Sequence, residues 1–269
     1  MAALRIVFLV LAVGILGLLG WRTGSTRAAP AVPSALAPLE QAMRMPPAPV
    51  LASLSAPAPA LPPAVRGGEA PEFLGFYGRL RDDFPHDYSV LRDRALATPP
   101  DAAVWDALRD LEQSKGILAA GAGAATLDRF FDARSAVLAG LAPSDAHRCV
   151  DFLYGMTDAG FAGFTAAHRG LVATLADRTL DAIADGRDHP VDRPAPTEAD
   201  LDALSTGLAT FGLAPAEIGL LIDGTTPDPP LPDRRVCEIG RTYFDVLHGL
   251  PADARGRIYG LAAQLLARS

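Results

Sequence analysis

Lysine is nearly missing from this chain: Lys115 stands alone beside twenty-three arginines. With abundant alanine, that bias points to a high-GC bacterial genome. Cysteine is almost as scarce. Cys149 and Cys237 are the two present, so at most one internal bridge forms. With no C-x-x-C, a thioredoxin-like centre and c-type haem attachment both lack their signature. H-E-x-x-H, G-x-S-x-G, the P-loop and the dinucleotide glycine fingerprint are absent too, which removes the commonest zinc-protease, serine-hydrolase and nucleotide-binding assignments. Positive charge is in deficit. Setting aside the five arginines and two glutamates before residue 71 leaves 19 basic against 29 acidic side chains, a net charge of −10. Nucleic acid, whose phosphates demand a basic footprint, is excluded as a partner, and direct adhesion to anionic headgroups is disfavoured.

What is present begins with an apolar run. Ala2 to Trp21 is twenty positions with only Arg5 charged, and a helix needs about 20 residues to cross ~30 Å of hydrocarbon. Arg5 sits near enough to the end to snorkel, and Trp21 falls where an interfacial aromatic belongs. The uncharged core Ile6–Leu19 also fits the apolar region of a cleaved signal peptide, with Thr26-Arg27-Ala28 as the cleavage site. No cysteine follows the run, so a bacterial lipoprotein is excluded. Residues 1–27 are therefore expected to be an inner-membrane anchor, contacting the lipid bilayer through residues 2–21, or a signal peptide. Either exports the C-terminal part to the periplasm, tethered in the first case and secreted in the second.

Residues 28–70 are rich in alanine and proline; from Ala28 to Pro71 there are eleven prolines. Proline fixes φ and lacks the amide hydrogen, so this stretch is expected to be a disordered, extended linker. Residues 71–269 carry the fold, enough for one domain, with a possible sub-boundary at 186–197. Their periodicity is helical: Val104, Leu108 and Leu111; Leu127, Phe130, Phe131, Val137, Leu138 and Leu141; Phe161, Phe164, His168, Leu171, Val172 and Leu175; Leu201, Leu204, Leu208 and Phe211; Ile258, Leu261 and Leu265. The expected class is all-α, an irregular bundle of helix hairpins.

Three corners share a plan: Gly140-Leu141-Ala142-Pro143-Ser144-Asp145, Gly212-Leu213-Ala214-Pro215-Ala216-Glu217 and Gly249-Leu250-Pro251-Ala252-Asp253. Each predicts a left-handed glycine ending one helix, a leucine packing back, a proline starting the next helix and a carboxylate in its first turn. The first and third corners resemble each other beyond the turn, as a degenerate duplication or as convergence on good turn chemistry. Two proline-rich breaks, Asp185–Thr197 and Asp223–Asp233, interrupt the helices, and Thr197 is expected to be an N-cap. The small-residue stretch Gly116–Ala125 fits close helix approach or a bend.

For an exported chain the paired Cys149 and Cys237 predict a disulfide. His147 and Asp151, at i,i+4, fit a surface ion pair better than a metal site, which needs further ligands. His189 sits in a proline-rich loop and reads as solvated. Glu238, Arg241, Asp245 and His248 form one polar helix stripe, and Asp128 with Asp132, and Asp177 with Asp181 and Asp185, read as solvated faces. No catalytic, cofactor-binding or metal-binding residue is assigned. The expected function is a membrane-tethered cell-envelope domain acting as a non-catalytic protein-interaction or scaffold module, binding an envelope protein or component. The alternatives are an envelope enzyme of the cell-wall hydrolase type and a periplasmic folding chaperone. The chaperone alternative comes from Arg129-Phe130-Phe131-Asp132, which, with the anchor, linker and helical body, resembles the lipase-specific foldases. Arg129 is one position closer than in their motif, and Ala133 replaces an aromatic.

Overall fold

The computed structural model describes residues 70–95 and 98–268. The expected membrane segment, and the linker up to residue 69, lie outside the described residues. Among those described there are eleven α-helices and no strand, and no helix is long and apolar enough to cross a membrane. The helices are α1 (Leu74–Asp83), α2 (Pro85–Ala95), α3 (Pro100–Ala119), α4 (Ala124–Leu141), α5 (Ala146–Leu153) and α6 (Ala162–Ala167). They continue as α7 (Arg169–Asp188), α8 (Glu198–Thr210), α9 (Pro215–Ile222), α10 (Asp233–Gly249) and α11 (Ala252–Leu266).

Helix α7 forms the middle of the bundle, with α3 and α4 packed along it. The apolar stripes expected on α3 and α4 are buried: Val104, Leu108 and Leu111 on the first, and Leu127, Phe130, Phe131, Val137, Leu138 and Leu141 on the second. Small residues on α7 itself, Ala173, Ala176, Ala182 and Gly186, let these neighbours approach closely. Helix α1 lies against α7 and buries Phe76 and Leu80, and α2 closes over α3. The C-terminal helices form the other flank, α10 on α5 and α11 across α3 and α4. Two side chains depart from the expected stripes. His168 is exposed where the chain breaks between α6 and α7, its ring 4.7 Å from that of Phe164. Phe211 is exposed because it ends α8, and Leu213 takes the core position instead.

The three corners divide. At Gly212 the expected left-handed turn forms, with φ +86°. Its amide donates to Ala209 O, and that of Leu213 to Leu208 O, so two terminal carbonyls are satisfied by a Schellman motif. Pro215 opens α9, and Glu217 Oε2 accepts from the Ala214 amide at 2.9 Å. Gly140 instead lies inside α4, where an added Cβ would press on Phe164 and Leu171 at 3.2–3.3 Å; glycine serves close packing there. The N-cap of α5 is Asp145, whose side chain accepts from the Arg148 amide, and Pro143 sits in the turn before it. Gly249 is the last residue of α10 and is not left-handed. Its successor Leu250 is extended, as a residue preceding proline prefers.

Helix α7 runs to Asp188, past the expected break at Asp185, because the first proline is Pro190. The arm that follows closes the open end of α3. The Val191 amide donates to Gly121 O at 2.8 Å, and the Arg193 fork donates to Ala120 O and Ala122 O. Thr197 then caps α8 as expected. Its hydroxyl accepts from the Asp200 amide while Asp200 Oδ2 accepts from the Thr197 amide, a complete capping box.

Candidate functional site

Where α4, α5, α9, α10 and α11 meet, they leave a cavity of about 200 Å³. Helix α10 supplies one wall with Val236, Ile239, Gly240, Tyr243 and Phe244. Helix α4 adds Phe131 and Arg134, and the end of α5 adds Phe152, Leu153 and Tyr154. Leu220 and Leu221 of α9 and Ala262, Leu265 and Leu266 of α11 complete it. The strong one-sidedness of α10 explains its part: Cys237, Ile239, Gly240, Phe244, Val246 and Leu247 are buried on one side, with Glu238, Arg241 and Asp245 exposed. Gly240 matters for shape, since a Cβ there would overlap the Leu153 side chain.

The α5–α10 wall is braced twice. Cys149 and Cys237 stand at disulfide distance, Cα to Cα 5.7 Å. At the surface beside them, His147 Nδ1 lies 2.9 Å from Asp233 Oδ2 at the start of α10, nearer than its expected partner Asp151 at 3.7 Å. The hydrogen bond to Asp233, with the charges of Asp151 and Asp233, raises the His147 pKa.

Among the described residues Arg134 is the one charged side chain lining the cavity, and it is 3 % exposed. Its Nη1 donates to Glu112 Oε1 of α3 at 2.8 Å and its Nη2 to Phe152 O at 3.4 Å. The guanidinium lies 4.7 Å from the Phe152 ring centre and 5.8 Å from that of Phe130, within cation–π range. Burial raises the Glu112 pKa, with Arg134 pulling against it. Burial likewise pushes the phenols of Tyr154 and Tyr243 up to about 12, so both stay protonated at neutral pH.

The other acidic residues are spread over the body, and several are tied to arginines. Arg169 grips Asp101, Arg255 grips Asp128, Arg257 grips Asp200 and Arg235 grips Glu217, each through two hydrogen bonds. These forks hold Asp101, Asp200 and Glu217 below the usual carboxylate range. Asp132 meets His248 at 2.9 Å, so the α4 carboxylates link helices rather than face solvent alone. Asp181 bridges Arg79 and Arg178. Asp185 accepts from the Gly123 amide at 2.8 Å and so caps α4 from a different helix, which lowers its pKa. Burial raises the pKa of Asp177, and one of its carboxylate oxygens has no hydrogen-bond partner among the described residues. His189 is exposed, 3.6 Å from Asp185. Among the described residues no group of three His, Cys, Asp or Glu side chains is placed to hold a metal ion.

The cavity was not among the sequence expectations, but it left one sign. Arg134 is four residues after Phe130 and four before Leu138, an arginine in the middle of an apolar helix face. In the Arg129–Asp132 segment, Phe130 and Phe131 are buried and Arg129 is exposed, bonded to Thr126. No family model matches the chain, and no curated protein or solved structure is significantly similar to it.

Proposed function

We propose that residues 71–269 form a non-catalytic recognition module. The N-terminal apolar segment holds it at the cell envelope through the proline-rich linker. Its partner, an envelope protein or component, is recognised at the cavity bounded by α4, α5, α9, α10 and α11. The observation that carries this reading is the chemistry of the cavity wall: apolar and aromatic side chains around a single ionic group that Glu112 already neutralises. Such a wall suits burial of apolar surface.

The test is photo-crosslinking in cells, from a photoreactive residue replacing Leu221 at the cavity wall of the full chain. The expected result is a discrete adduct that disappears when Ala262→Phe fills the cavity. A persistent adduct pattern in the filled variant, or reproducible cell-wall hydrolysis by the purified chain, overturns the reading. Location is tested separately, with a reporter active only in the periplasm fused after Ser269 and with the N-terminal sequence of the mature protein.

A further inference from the structure

We infer that the cavity is a site for a small neutral molecule, an aromatic or short aliphatic body bearing one carbonyl oxygen. This rests on the recognition-module reading and goes beyond it by fixing the ligand's size, charge and polar group.

Size follows from volume. An apolar cavity of about 150 Å³ accommodates benzene, so the 200 Å³ here takes a body of roughly eight heavy atoms at the same packing. The rings of Phe131, Phe152 and Tyr243 make the wall suited to an aromatic or flat aliphatic guest.

Charge follows from Arg134 and Glu112. Their ion pair is buried and internally neutral. A third charge brought beside it would be desolvated with no counter-ion left to meet it. The ligand is therefore uncharged.

The polar group follows from donors left over. A guanidinium carries five N–H groups, and among the described residues Arg134 has two acceptors, Glu112 Oε1 and the more distant Phe152 O. Tyr243 also lines the cavity, and its phenol, with a pKa pushed up by burial, keeps its proton at neutral pH. The Arg134 guanidinium offers donors and no acceptor, and the Tyr243 hydroxyl adds one donor. A carbonyl oxygen offers two lone pairs and no proton, and complements them.

Three probes of nearly equal shape separate the alternatives: acetophenone, ethylbenzene and benzoate. Their binding is measured by equilibrium dialysis against the full chain in lipid nanodiscs, with empty nanodiscs as the blank. Acetophenone is expected to bind at least about tenfold more tightly than either of the others, the scale of a net hydrogen bond to a charged donor. Tyr243→Phe, which keeps the ring, lowers that preference. The paired change Glu112→Met with Arg134→Met removes the ion pair without orphaning a charge and lowers the preference further, leaving only the share that Tyr243 supplies. Benzoate binding as tightly as acetophenone, equal binding of all three to the unaltered chain, or no acetophenone bound above the blank overturns the inference. If acetophenone fails while the Leu221 crosslink persists and is lost in Ala262→Phe, the small-molecule assignment falls and the recognition module stands.

Discussion

Gly186 on α7 faces the carbonyl of Leu118 on α3 so closely that a Cβ at residue 186 would overlap the oxygen. The obstacle is backbone, which cannot rotate away. Gly186→Ala is therefore expected to destabilise the bundle by about 3 kcal/mol, the upper range for overpacking. Gly78 on α1 has nothing near its vacant Cβ position, so Gly78→Ala should stabilise by about 0.5–1 kcal/mol through helix propensity. Urea unfolding of the two variants checks both signs. Equal effects would show that the α3–α7 approach is looser than described.

The Glu112–Arg134 pair should behave as a unit. Arg134→Met strands a buried carboxylate and is expected to cost about 3–5 kcal/mol, whereas changing both residues to methionine should recover most of that. A double-mutant cycle in denaturant measures the coupling. Additive losses would mean that Glu112 reaches water once its partner is gone.

The His147–Asp233 contact makes one flank sensitive to pH. The folded-state pKa of His147 is raised, so the stability it supplies is complete below the unfolded value of about 6.5 and disappears as pH rises through the folded one. His147→Ala should lower Tm at about pH 5.5 and match the unaltered protein at about pH 9. A Tm difference that is the same at both pH values would remove the ion pair as its cause.

The cysteine pair encloses a separation of 88 residues, a constraint worth about 4–5 kcal/mol in the loop-entropy model. Denatured, unreduced protein should titrate no free thiol, and reduction should shift the denaturant midpoint down by a corresponding amount. Two thiols released by denaturation alone would show that no bridge forms.

Tyr259 stacks on Phe131 with ring centres 4.2 Å apart, yet its hydroxyl is buried without a hydrogen-bond partner among the described residues. Tyr259→Phe keeps the stack and removes the orphaned group, whose burial costs about 1–3 kcal/mol. The variant is expected to be as stable as the parent or more so. A loss above about 1 kcal/mol would reveal a partner for the hydroxyl.

Helical class, the α3 and α4 stripes and the Thr197 cap were all legible, because each depends on spacing or on local chemistry within a few residues; the approach of Cys149 to Cys237 was legible from their number alone. The corners show where that legibility stops. Gly140, Gly212 and Gly249 have similar neighbours, but only Gly212 adopts the left-handed turn; Phe164 and Leu171 decide the role of Gly140 from another part of the chain. Asp185 looked like one more surface carboxylate until the Gly123 amide, 62 residues away, was placed against it. The cavity was invisible for the same reason. Five helices enclose it, and no one of them is periodic in a way that announces a gap.

The Cys149–Cys237 link also has an order in time. Helices α3 to α7 occupy a continuous stretch of chain and pack on one another, so they can associate while the polypeptide is still emerging, N-terminal end first. Any bridge from Cys149 to Cys237 has to await α10, which lies later in the chain. A bond between them can close only once α10 has arrived, with α11 still to follow it onto α3 and α4.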